Sequence, residues 1–163
     1  MDTVLYTQPP TGTTDELVFT IVDKQGLEAS ENLSLMFCAQ DYLVGSYMLE
    51  QTIGSPDPFF GEATKFAEET VTIKASNDGS RIIELTWLGF SSEMVIFADC
   101  NSSEILIFEH SGAGASCGTP VIWAPDEENG SVIDDETFAV RFIDDFENTC
   151  GLQESMELTF TRQ

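Results

Sequence analysis

Three short acidic runs carry the side chains best suited to chemistry: Asp126-Glu127-Glu128-Asn129-Gly130, Asp134-Asp135-Glu136, and Asp144-Asp145 followed by Glu147 and Asn148. Hard cations such as Ca²⁺ take oxygens from carboxylates, amides and backbone carbonyls. If these runs were loops gathered at one end of a β domain, Asp126, Glu128, Asp134, Asp135, Asp144 and Asp145 would be the metal ligands. None has the D-x-[DN]-x-[DN]-G spacing of the helix–loop–helix calcium sites, so the match is one of composition. The competing expectation is a set of solvated turn carboxylates. A pair of the same acids could also work as acid and base on a glycosidic bond. Among 29 acids some pair meets that separation by chance, and this expectation ranks last.

Trp87 and Trp123 offer flat apolar faces on which a sugar ring could stack, although both stand in strand-like runs where burial is the competing fate. The single histidine, His110, is separated from Cys117 by Ser111-Gly112-Ala113-Gly114-Ala115-Ser116. That spacing matches no nucleophilic Cys–His pair, so His110 is expected to be an exposed strand-end residue and the segment after it a mobile turn. Cys38, Cys100, Cys117 and Cys150 never form C-x-x-C, which removes zinc-ribbon and thioredoxin-like chemistry. Scattered and even in number, they fit two structural disulfides and an oxidising compartment. Cys117–Cys150 with Cys38–Cys100 is the favoured connectivity, because Cys117-Gly118 and Cys150-Gly151 look like matching turn positions. Reduced core thiols in a cytosolic protein are the alternative.

Charge narrows the partners. Six Lys plus Arg stand against 29 Asp plus Glu, a formal net charge of -23. Nucleic-acid affinity is built largely from cations neutralising phosphates, so nucleic acid is excluded as a partner class and anionic membrane surfaces are disfavoured. No run is long and apolar enough to span a membrane, and Met1-Asp2-Thr3-Val4 lacks the basic and apolar regions of a secretory leader. An exported protein of this sequence is then expected to be a mature fragment or an excised module.

The elements that must position these groups are almost all strands. Apolar residues recur with period two in 16–22, 33–38, 42–52, 71–75, 81–88, 93–98, 104–109, 121–124, 137–143 and 156–162, mostly bounded by Gly, Pro, Asn, Asp or Ser. Phe138, Val140 and Phe142 share one face, as do Met156, Leu158 and Phe160. Asn77-Asp78-Gly79-Ser80 is the strongest hairpin signal and predicts a meander from Val71 to Glu109. Only Gly61 to Glu69 has helix-forming composition, enough for one or two turns. About ten short strands predict an all-β domain, an antiparallel sandwich with a barrel as the alternative. Residues 1–14, with Pro9-Pro10, form a linker or lead-in strand, and 15–163 one β domain.

The C-terminal half resembles β-rich modules of large Bacteroidetes cell-surface and adhesin-type proteins. The resemblance is carried by Cys117-Gly118-Thr119-Pro120-Val121-Ile122-Trp123, Ile133-Asp134-Asp135-Glu136-Thr137-Phe138, Asp144-Asp145, Cys150-Gly151 and Leu158-Thr159-Phe160-Thr161-Arg162, and it spans residues 42 to 163. It implies an extracellular, disulfide-containing β domain, often repeated or part of a larger assembly, and assigns no catalytic or ligand residue. A non-catalytic surface module with a structural, adhesive or ligand-presenting role is therefore expected, its partner an extracellular protein or glycan. A carbohydrate-binding module using Trp87 and Trp123 is the first alternative, a small acid-pair hydrolase the second. Ca²⁺ is the one cofactor the composition suggests.

Overall fold

The computed structural model describes residues 14–22, 28–36, 38–39, 41–100, 102–107, 110–117 and 119–163, with backbone alone for 14–22, 28–36 and 110–116. The expected linker falls almost wholly outside these residues. The chain divides into two compact units, Met1–Gln40 and Asp41–Gln163, a boundary later than residue 15. The first contains an antiparallel hairpin of β1 (Thr14–Val22) and β2 (Glu28–Met36).

The second unit holds β3 (Gly45–Ile53), β4 (Glu69–Ala75), β5 (Arg81–Trp87), β6 (Phe90–Asp99), β7 (Glu104–Ile107), β8 (His110–Ser116), β9 (Pro120–Pro125), β10 (Gly130–Val132), β11 (Thr137–Asp144) and β12 (Glu154–Arg162). The predicted meander forms, β4 to β7 pairing in succession around a 76–80 turn with Gly79 at φ 88°. Closure distinguishes a barrel from a sandwich. β12 pairs with β3, and β10 pairs with both β7 and β11. β3-β4-β5-β6-β7-β10-β11-β12 thus make an up-and-down antiparallel barrel of eight strands. Gly130 permits the closure, since a Cβ there would sit 2.3 Å from the Ala139 carbonyl oxygen.

β8 and β9 form a hairpin between β7 and β10, and β9 borders the end of β11 that β10 leaves uncovered. The Ser-Gly-Ala segment expected as a turn is therefore a strand, His110 pairing with Trp123 and Ser116 with Pro120. Its backbone follows its partner, a constraint that small side chains do not announce. Residues 61–69 are not helical. Phe66 forms a β-bridge with Trp87, and the Gln51 side-chain oxygen accepts hydrogen bonds from the Lys65 and Phe66 amides. These tertiary contacts override a weak local propensity.

Eight strands enclose a space that side chains can just fill. Here they do so with Tyr47 and Leu49, Val71 and Ile73, Ile83, Leu85 and Trp87, Met94 and Ile96, Phe138, Val140 and Phe142, and Met156, Leu158 and Phe160, all buried. Phe138 stacks on Phe160 at 4.7 Å and meets Tyr47 edge-on at 5.4 Å. Apolar inside and largely polar outside is the reverse of the alternation in lipid-facing barrels.

Candidate functional site

The inward series of β11 runs Phe138, Val140, Phe142 and ends on Asp144; that of β12 begins on Glu154 and continues Met156, Leu158, Phe160. Their register sets Asp144 opposite Glu154. Two carboxylates facing one another across a strand pair repel. Lys65, from the 54–68 connection between β3 and β4, enters between them. Its Nζ donates to Asp144 Oδ2 at 3.0 Å, to the Leu152 carbonyl at 3.1 Å and pairs with Glu154 Oε1 at 2.5 Å. All three ammonium protons therefore have acceptors.

Asp144 accepts two further bonds, from Trp123 Nε1 at 2.9 Å and from Trp87 Nε1 at 3.4 Å. Phe66 and Phe142 close the surroundings, each 5.7 Å from the Trp123 ring. The Lys65 and Asp144 side chains are 1% and 0% exposed. Burial pushes the Asp144 carboxyl above its ordinary pKa against the pull of Lys65 and the two indoles. Glu154 goes the other way: burial raises it, but hydrogen bonds from Lys65 and Ser55 prevail and hold it low. The opposite end of the barrel is closed by Arg81, which donates to the carbonyls of Tyr42, Gly79 and Ser80.

Asp145 turns away into the 145–153 loop. One carboxylate oxygen accepts from the amide and hydroxyl of Thr149, the other from the amides of Cys150 and Leu152. Burial raises its pKa, yet these donors outweigh it and hold the carboxyl below the ordinary aspartate value. A depressed folded pKa stabilises the fold above the unfolded value, and that contribution is lost as pH falls through the folded one. Asp145→Asn tolerates the positive φ of 48° but presents one acceptor oxygen where two are used. It is expected to cost about 2–3 kcal/mol at neutral pH and to flatten the acid limb of stability, measured by urea unfolding across pH. An unchanged acid limb would refute the assignment.

The same end carries an apolar rim. Ile53, Phe59, Phe60, Phe90 and Phe146 are exposed there, Phe59 at 56% and Phe60 at 63%, whereas exposed Ile133 lies at the other end. They sit on the end of β3, the 54–68 connection, the start of β6 and the 145–153 loop, which the strand order places side by side.

The structure disperses the expected metal ligands. Asp126 binds the Glu127 amide and Ser155, Glu128 pairs with Arg141, Asp134 accepts from the Glu136 amide, and Asp135 is exposed. Asp144 and Asp145 are adjacent but engaged apart. Among the described residues no three acidic, histidine or cysteine side chains converge on a metal-sized site. The expected sugar platform is corrected too: Trp87 and Trp123 are buried at 1% and 0%, their N–H groups committed to Asp144. Cys117 and Cys150 are joined, and Cys38 and Cys100 are also in disulfide linkage. No motif singles out Lys65 or Glu154 in the sequence, although Asp144 and Glu154 continue the apolar phase of their strands. No protein-family model, curated protein or solved structure matches the chain.

Proposed function

We propose that this chain is an extracellular surface module that works by presentation, a rigid barrel offering its apolar rim to a protein or glycan partner without transforming it. The carrying observation is the placement of Phe59, Phe60, Phe90 and Phe146 on adjoining loops above an interior already filled with side chains. Exposed apolar groups gathered on one surface are the usual mark of an interaction site, and loops on a stiff scaffold are where binding residues concentrate. Two disulfides fit an oxidising compartment. The resemblance of residues 42–163 to surface modules agrees in class.

The test is binding of the immobilised domain to arrays of extracellular-matrix proteins and glycans, repeated with Phe59→Ser/Phe60→Ser. Loss of a central aromatic anchor costs about 2 kcal/mol or more, roughly thirtyfold in Kd. A ligand whose binding falls by that factor, and which is recovered chemically unchanged, supports the proposal. Binding indifferent to the double variant, or turnover of the ligand, overturns it.

A further inference from the structure

A lysine amine pressed against a carboxyl in a dry, aromatic-walled site comprises the reactants of an amide, with water as the other product. We propose that Lys65 and Asp144 condense to an intramolecular isopeptide bond between Nζ and Cγ, with Glu154 transferring the proton. The inference is independent of the rim.

Each part of the reaction has a group in place. Glu154, 2.5 Å from Nζ, accepts a proton from the ammonium and frees the nitrogen lone pair. The amine, held 3.0 Å from Oδ2, attacks Cγ of Asp144. Negative charge developing on Oδ1 meets the Trp123 N–H at 2.9 Å, a fixed donor in a low-dielectric site. Two of the three ammonium protons end on Oδ2, one of them carried by Glu154, and the C–O bond breaks as water leaves. The third proton stays on the amide nitrogen, where the Leu152 carbonyl already accepts from Nζ. No oxidant or cofactor is consumed.

The two acids differ in the sense this division of labour needs. Asp144, fully buried, is pushed towards the neutral acid, which it becomes when Glu154 passes the first ammonium proton on to Oδ2 and whose carbonyl carbon the freed amine attacks. Glu154, partly open, is held as the carboxylate that serves as base. Immobilising amine and carboxyl together removes the entropy of encounter. Condensation also replaces two buried charges by a neutral amide, ending the desolvation penalty of the ion pair. Exclusion of water then protects the product from hydrolysis.

Intact-mass spectrometry of the purified, reduced chain tests this, followed by peptide mapping. The expected mass is one water below that of the sequence, with the Lys65 segment joined to the Asp144 segment and no tryptic cleavage after Lys65. Lys65→Arg and Asp144→Ala should return the full mass. Glu154→Gln, which replaces a partly exposed side chain, should also return it while circular dichroism shows the barrel folded. Full mass for the folded wild-type chain overturns the proposal. So does a water loss that maps to Lys65 with Glu154, or to a succinimide at Asp78-Gly79.

Discussion

Lys65→Met is expected to lower the stability of the barrel by about 3–5 kcal/mol, the range for removing one partner of a buried ion pair. Methionine fills much of the volume, so the loss comes from what is left behind: Asp144 stays buried, with two indole donors and no counter-charge, opposite Glu154. Lys65→Met/Asp144→Asn isolates that cause. Asparagine keeps a carbonyl oxygen for Trp123 while removing the stranded charge, and Glu154 retains the Ser55 amide and hydroxyl. The double variant should recover most of the electrostatic part, leaving only what the covalent bond contributed. Urea unfolding of both variants measures it. A single variant within about 1 kcal/mol of wild type would show that Asp144 is comfortable without Lys65.

Cys117→Ser/Cys150→Ser is expected to cost about 4 kcal/mol on the chain-entropy estimate for a loop of this length. The bridge spans 33 positions and ties the end of β8 to the loop organised by Asp145. Loosening that loop exposes the Leu152 carbonyl, one of the three acceptors of Lys65. The change should therefore appear both in the unfolding midpoint and in faster amide exchange at Thr149, Cys150 and Leu152, the donors to Asp145. Unchanged exchange at those amides would mean the carboxylate alone orders the loop.

Legibility in the sequence followed the reach of each interaction. Strands with clean alternation, such as 137–143 and 156–162, were readable because one face is core and the other wet. β8 was not, since Ser-Gly-Ala carries no alternation, nor was β10, only three residues long. The choice between sandwich and barrel turned on β12 finding β3 and on β10 joining β7 to β11, pairings between distant positions that no local pattern encodes. The central site was half visible. Asp144 reads with Asp145 as part of an acidic loop, yet its parity with Phe138, Val140 and Phe142 places it inside. Lys65 sat in a segment of helical composition and is defined by contacts 79 and 87 residues away. The tryptophans have the flat apolar faces of a sugar platform but serve the interior, where both indole N–H groups donate to the Asp144 carboxylate.

The pairing of the barrel's first and last strands has a mechanical meaning. β3 and β12 lie antiparallel, and the Gln163 amide still donates to the Ser46 carbonyl. A pull applied at Gly45 and Gln163 therefore starts from adjacent points and peels the two strands apart rung by rung, the geometry in which a sheet yields at low force. The Lys65–Asp144 linkage lies beyond β3 on one side and before β12 on the other. With that link covalent, tension released from β3 and β12 would pass directly from residue 65 to residue 144, and the eight strands from β4 to β11 would bear none of it.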